Sequence, residues 1–335
     1  MRITIGELAK IAGVSKTTIS RVINNKPDVD RGTREKILSL ISEYGFQPNA
    51  FAKAISQKQS NLIGLLIPHK AEYVFSNPFY TEVMRGVSTA VDEKGYYLLV
   101  CYAHEVNYMD IYRQKRVDGF VLLSPGSFHK HIIEALNVGN VPFVSTARIL
   151  AEPEMTYVDV DNFKGASQLM EHLISLGHER IAFIGKPTLQ SSQDRLSAYQ
   201  TVLEKAGIPY DPELALVTDT SSIESGHEYT LRLLRSQRPP TAIFLANDVM
   251  AIGAINAAHE SGLRVPEDIS IVGFDDIPFS NYTNPPLTTV HQPAFEKGVR
   301  AAQLLIHLLE TQEPQESVIL PLEMVLRRST ASARK

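Results

Sequence analysis

Polar residues stand behind the short apolar runs of this chain, and their types are those that hold hydroxylated molecules. Asn77-Pro78-Phe79-Tyr80 comes after the run 62–67, and Thr146-Ala147-Arg148 after 141–145. Asp161-Asn162 comes after 156–160, and Ser191, Ser192 and Arg195 after 180–184. Asn247-Asp248 comes after 241–245, and Asp275-Asp276 after 269–274. Carboxylates and carboxamides can chelate paired hydroxyls, a guanidinium donates several hydrogen bonds, and aromatic rings cover an apolar sugar face. The candidate binding residues are therefore Phe79, Tyr80, Arg148, Asp161, Ser191, Arg195, Asn247 and Asp275. A plainer reading stands beside this one, because Asp161 and Asn247 are also placed to cap the helices that follow. Six such positions together are the stronger signal. The pairs Asp159/Asp161 and Asp275/Asp276 could do acid–base work, but the chain has no G-x-S-x-G, P-loop, H-E-x-x-H or metal-spaced Cys/His cluster. No catalytic residue, cofactor or metal is expected.

A second stretch with chemistry runs from Thr4 to Asn24. Thr4 followed by Glu7 is a capping box for a first helix, and Ser15 can cap a second. Ala9 permits close helix approach, and Gly13 suits a turn that needs positive φ. Leu8, Ala12, Val14, Ile19 and Val22 fall where two crossed helices would bury them. This is the pattern of a helix-turn-helix, whose second helix enters the major groove with its N-terminal residues facing base edges. An ordinary helical hairpin fits the joint spacing less well. A third helix is expected after Asp30, with Ile37, Leu38 and Ile41 as its apolar face and Gly45 at its end.

The elements that must carry the first group of residues alternate in type. Apolar runs at 62–67, 97–101, 119–123, 141–145, 180–184, 241–245 and 269–274 are separated by helical stretches such as 79–93, 163–176 and 194–206. That alternation predicts parallel α/β sheets with crossover helices, in two units that meet near Asp161. Ligands in such folds sit beyond the carboxyl ends of the strands, where the polar residues lie. Between headpiece and sheets, Pro48-Asn49-Ala50-Phe51-Ala52-Lys53-Ala54-Ile55-Ser56 reads as a short helix too short to be stable alone, followed by a polar linker. The expected organisation is a three-helix headpiece over 1–47, a hinge helix and linker over 48–60, and a core over 61–335.

Charge follows the same division. Residues 1–60 hold ten Lys or Arg against five Asp or Glu, a balance of +5, whereas the rest holds 23 against 32, a balance of −9. A basic reader on an acidic body fits nucleic-acid binding at one end only. The single cysteine, Cys101, excludes an internal disulfide and reads as a buried strand-end thiol. No apolar stretch reaches the ~18 residues of a membrane span, and no signal peptide precedes the headpiece, so a cytoplasmic protein is expected.

The chain resembles the LacI/GalR-type bacterial transcriptional regulators over essentially its full length. The resemblance rests on Val14-Ser15-Lys16-Thr17-Thr18-Ile19-Ser20-Arg21-Val22-Ile23-Asn24 and on the blocks Arg116-Val117-Asp118-Gly119, Leu176-Gly177-His178, Ala246-Asn247-Asp248, Val272-Gly273-Phe274-Asp275-Asp276 and Pro286 to Pro293. It implies a periplasmic-binding-protein-like core of two doubly wound lobes joined by three crossovers, lobe 1 over about 61–160 and 292–320 and lobe 2 over about 161–291 and 321–335, with an effector between them and a homodimer on a pseudo-palindromic operator in double-stranded DNA.

Under this resemblance the DNA contacts are Thr4, Ser15, Lys16, Thr17, Thr18, Ser20, Arg21 and Asn24, with Lys16, Thr17 and Arg21 on bases. Asn49, Ala52, Lys53 and Ile55 belong to a hinge helix that enters the minor groove, Ile55 standing where Leu is usual. Departures are Ala147 where Asp is frequent, with Arg148 beside it as a substitute, and Ser221 where a ring often covers the ligand. Leu189 lies where purine-binding members carry Arg, which disfavours a purine. The segment from Val100 to Arg116 is short, and the leucine heptads of a tetramerising tail are missing. The implied function is a DNA-binding repressor controlled by a sugar-like effector. The alternatives are a catabolite-type regulator controlled by a phosphocarrier protein, and a solute-binding protein, which the headpiece opposes.

Overall fold

The computed structural model describes residues 3–23, 25–46, 59–104, 106–126, 129–152 and 154–334. Its contacts separate two compact units, Met1–Ser60 and Asn61–Lys335. Asn24 and the expected hinge residues Asn49, Ala52, Lys53 and Ile55 lie outside the described residues.

In the first unit, three helices are each started by a side chain that satisfies an otherwise orphaned backbone donor. Helix α1 (Ile5–Ala12) opens on the capping box: Thr4 Oγ1 accepts from the Glu7 amide at 3.3 Å, and the Thr4 amide donates to Glu7 Oε2 at 2.8 Å. It ends at Gly13, whose φ of 70° is the left-handed conformation glycine adopts freely. Helix α2 (Lys16–Ile23) follows, with Ser15 Oγ accepting from the Thr18 amide at 3.0 Å. Asp30 does the same for α3 (Arg31–Glu43), accepting from the Thr33 amide at 3.1 Å. Leu8, Ala9, Ala12, Ile19, Val22, Ile37 and Phe46 form the core, with Val14 and Ile41 packed at its edge. Leu38 departs from expectation and is 49% exposed. Residues 37 and 41 share one helix face, and the ~100° step per residue carries 38 off it.

The second unit begins with β1 (Leu62–Ile67), α4 (Ala71–Phe75), α5 (Pro78–Glu93), β2 (Tyr97–Tyr102), α6 (Tyr108–Arg113), β3 (Gly119–Leu122), α7 (Lys130–Val138) and β4 (Phe143–Ser145). These strands form an all-parallel sheet in the order β2-β1-β3-β4. The short Val100–Arg116 segment leaves room only for the six-residue α6. After β5 (Val158–Val160) come α8 (Asn162–Ser175), β6 (Ile181–Gly185), α9 (Gln190–Lys205), β7 (Ala215–Val217), α10 (Ile223–Leu234), β8 (Ala242–Leu245), α11 (Asp248–Glu260) and β9 (Ser270–Val272). The second sheet is parallel too, in the matching order β7-β6-β8-β9. The two lobes thus repeat one winding, with β1, β3, β6, β8 and β9 buried on both faces while the edge strands β2 and β7 carry exposed residues.

Four short strands tie the lobes together. A bridge from Ser145 to Tyr157 joins β4 to the β5 segment, and β5 pairs in parallel with β11 (Val318–Leu320). Bridges at Val272/Thr288 and Asp275/His291 join β9 to β10 (Thr289–His291), which pairs antiparallel with β12 (Glu323–Val325). The chain therefore passes between lobes three times: after β5, after β10 into α12 (Ala294–Thr311), and after β11. Of these strands, β10, β11 and β12, together with β7, were not among the apolar runs. Each is three residues long, too short to show a pattern. Helices α5 and α12 touch backbone to backbone. A Cβ at Gly86 would strike the Phe295 carbonyl and one at Gly298 the Val83 carbonyl, so both positions need glycine. Cys101 is a buried free thiol in β2.

Candidate functional site

On the headpiece, Lys16, Thr17 and Arg21 are exposed on the face of α2 opposite the buried Ile19 and Val22, while Thr18 and Ser20 are half-buried. Thr17 and Arg21 are one turn apart and project side by side. Arg21 Nη1 pairs with Asp28 Oδ2 at 3.1 Å, and both side chains are half exposed. A pair in that setting contributes only about 0–1 kcal/mol and can be exchanged for another acceptor. Thr4 and Ser15 spend their hydroxyls on helix caps, as given above.

In the second unit, a cleft opens at the carboxyl ends of both sheets. Phe79, Tyr80, Ser191, Arg195, Asn247 and Asp275 all line it, brought from α5, α9, the β8–α11 junction and the β9 end. Arg148 and Asp161 do not. The Asp161 carboxylate is occupied as the cap of α8, accepting from the Lys164 amide at 2.9 Å. Arg148 turns instead to Asp194, its Nη2 2.8 Å from Oδ2.

Asp275 and Arg195 form the buried centre. Arg195 Nη1 lies 3.5 Å from Asp275 Oδ1, and both side chains are under 8% exposed, at 7% and 6%. The guanidinium lies 3.6 Å over the Phe274 ring and donates twice to Asn162 Oδ1, from Nε at 3.1 Å and Nη2 at 2.8 Å. It also donates to the Ala246 carbonyl. Gln292 Nε2 donates to Asp275 Oδ1 at 2.6 Å, and Oδ2 takes no hydrogen bond among the described residues. Burial pushes the Asp275 carboxyl up to about 7, against the pull of Arg195. Its backbone has φ 117°, a conformation side chains rarely adopt, so the loop holds this carboxylate in place at a cost in strain. Neighbouring Asp276 fixes the loop from outside, bonded to Arg327 Nη2 at 2.6 Å and His291 Nδ1 at 3.1 Å. Asp248 fixes it from inside, accepting from Ser280 and Thr289 hydroxyls at 2.6 Å each and from the Ile277 amide. Asn247 caps α11 through Oδ1, 2.9 Å from the Met250 amide, which leaves its NH2 group facing the cleft.

The first lobe supplies a ring wall. Tyr73 and Tyr80 centroids are 5.6 Å apart, and Phe79 lies 5.6 Å from Tyr80. Tyr80 is pushed well above its ordinary value by burial and stays neutral. Tyr73, Lys186, Gln292 and Lys297 line the cleft without having been among the candidates. Lys186 directly follows β6 and obeys the strand-end rule. Lys297 carries no local signal, because it reaches the cleft from within α12. There its Nζ is 2.9 Å from Asp159 Oδ1, with both side chains at or under 5% exposure. Asp159 also accepts from the Arg148 and Val160 amides, so of the pair Asp159 and Asp161 one is a buried ion-pair member and the other a helix cap. Among the described residues there is no cluster of side chains that could hold a metal.

Two family models match this chain. Residues 4–49 match the bacterial regulatory proteins of the lacI family, and residues 170–330 match a periplasmic-binding-protein-like domain. The HTH-type transcriptional regulator DegA of Bacillus subtilis (strain 168) is 35% identical, covering 99% of both chains. A solved complex of the transcriptional regulator CelR with cellobiose superposes with a TM-score of 0.76 at 31% identity, covering 98% of this chain and all of that one. The lac repressor dimer bound to operator and the anti-inducer ONPF superposes with a TM-score of 0.85 at 29% identity, covering 99% and 100%. With its helix-turn-helix and two-lobed core, the chain belongs to the LacI family of DNA-binding transcription regulators.

Proposed function

We propose that the cleft binds a small, polyhydroxylated, sugar-like effector and that its occupancy sets the affinity of the headpiece for an operator. The observation that carries this reading is the unused acceptor Oδ2 of Asp275 and the unused donor capacity of Asn247 in one cleft, to which the other lobe brings aromatic rings. Asp275 would accept from ligand hydroxyls, Arg195 and Asn247 would donate, Ser191 would do either, and Phe79 and Tyr80 would cover an apolar face. This is a binding site and not a catalytic one: Asp159, Lys297, Asp275 and Arg195 are each engaged in holding another in place.

Lys16, Thr17 and Arg21 would read bases. Thr18 and Ser20 would meet the backbone, and Thr4 and Ser15 would present helix N-termini to phosphates. Asn24 and the hinge residues Asn49, Ala52, Lys53 and Ile55 would complete the contact at the palindrome centre. The assembly is a homodimer acting in the cytoplasm, in keeping with the described helices, none of which is long and apolar enough to cross a membrane. Thermal shift with a panel of sugars tests the reading. A ligand at ~100 times its dissociation constant adds roughly 2.7 kcal/mol to the core, and no stabilisation by any hydroxylated ligand would remove the effector site.

A further inference from the structure

The charges that line the cleft do not cancel. Three cations, Lys186, Arg195 and Lys297, face two carboxylates, Asp159 and Asp275. Lys297 is matched by Asp159 and Arg195 by Asp275. Lys186, the residue after β6, has no anionic partner among the described residues, yet it is half-buried in the cleft wall. Its ammonium lies close enough to His69 and His129 to add to the burial that holds both imidazoles below their ordinary value.

Four residues on, α9 begins without a cap. Its N-cap residue is Leu189, which has no side chain to accept from the first turn, and the Gln190 and Ser191 amides find no acceptor among the described residues. A 16-residue helix directs the positive end of its dipole there. Ser192 supplies the independent sign of a missing ligand: it is 6% exposed, lines the cleft, and its Oγ has no hydrogen-bond partner. A buried hydroxyl left unpaired is destabilising, so the position favours an incoming partner. Asp194, the nearest carboxylate along the helix, is already bonded to Arg148 and to Gln190 Nε2 at 2.9 Å, so it does not fill the place.

We propose that the effector is a sugar acid whose carboxylate sits at the start of α9, held by Lys186, the Gln190 and Ser191 amides and the Ser192 hydroxyl. This rests on the cleft reading above and narrows it. One ammonium, two amides and one hydroxyl match the two oxygens and single charge of a carboxylate. A phosphate ester would bring a second charge with no cation left for it. The hydroxyls of the ligand would then extend toward Asp275 and Asn247.

The test is calorimetric titration at fixed ionic strength with D-glucuronate, D-galacturonate and D-gluconate, their neutral parents D-glucose and D-galactose, and D-glucose 6-phosphate. Sodium sulfate against matched sodium chloride in thermal shift reports the anion site without any sugar. At least one acid should bind about tenfold or more tightly than its parent, Lys186→Met should close that gap, and Lys186→Arg should keep it. Equal affinity for acid and parent, an acid preference that survives Lys186→Met, or wild type indifferent to every acid and to sulfate would overturn the proposal. So would glucose 6-phosphate outbinding every acid. Failure of the underlying reading looks different. Acids that lose affinity in Lys186→Met but not in Asp275→Asn would support the anion site and remove the sugar cleft around it.

Discussion

Arg21 and Arg195 are both arginines that our account aims at a ligand, and they stand in opposite surroundings. Arg21 is 54% exposed, on an eight-residue helix, with one exchangeable partner. Arg195 is 7% exposed, lies over Phe274, and is bonded to Asn162, Ala246 and Asp275. Groups of the first kind act one at a time, and their substitutions add. Groups of the second kind hold one another, so removing one leaves its partners unpaired in a low-dielectric place. The headpiece can therefore be retuned residue by residue, whereas the cleft responds as a unit.

The largest effect that would sharpen this contrast is at Lys297. Lys297→Met leaves Asp159 charged and buried, and should destabilise the core by about 3–5 kcal/mol in urea unfolding. Adding Asp159→Asn should recover most of that loss. A single-variant loss under ~1 kcal/mol, or strictly additive losses, would mean the cleft is no more coupled than the headpiece.

Next is pH. Asp275 is held at about 7 by burial, against an ordinary 3.8. A carboxyl whose folded value is raised stabilises the fold fully below its unfolded value, and that contribution is lost as pH rises through the folded value. The stability of the wild type relative to Asp275→Asn should therefore fall as pH rises from about 3.8 to about 7. A difference that is flat over that window, or that rises, would show an ionised Asp275 in the folded core.

On the headpiece the effects are smaller and separable. Arg21→Ala should cost about 1–3 kcal/mol on a selected operator and relax preference at one base pair per half-site, read by binding to single-substitution duplexes. Uniform weakening on all sequences would make Arg21 a phosphate contact. Ser15→Ala should remove ~1 kcal/mol of headpiece stability by uncapping α2, measured by thermal melting. No loss there would show that the 3.0 Å bond to the Thr18 amide is replaced by water at no cost.

The same contrast explains what could be read in the chain beforehand. Headpiece signals are local: Thr4 with Glu7, Gly13, Ser15 and Asp30 each act within three residues, and each caps or turns as its type dictates. Cleft signals are local only where a strand ends, which is how Ser191, Arg195, Asn247 and Asp275 stand out. Arg148 and Asp161 satisfy the same rule but belong to an ion pair and a cap. Lys297 escapes it because α12 crosses to the cleft from 138 residues beyond Asp159. Leu176-Gly177-His178 is structural: Gly177 turns at φ 86°, and His178 pins Thr241, Ser270 and the Ala331 carbonyl together.

Energetic coupling between the cleft and the DNA reader is measured most directly by fluorescence anisotropy on a labelled operator duplex. The duplex would come from selection against random DNA, and the ligand would be the one that most stabilises the core. Allosteric coupling of about 1–3 kcal/mol predicts a 5–150-fold change in operator affinity on saturation, and the duplex must change ligand affinity by the same factor. The response should vanish in Asp275→Ala. A ligand that stabilises the core yet leaves operator affinity unchanged, or a full response in Asp275→Ala, would contradict the account.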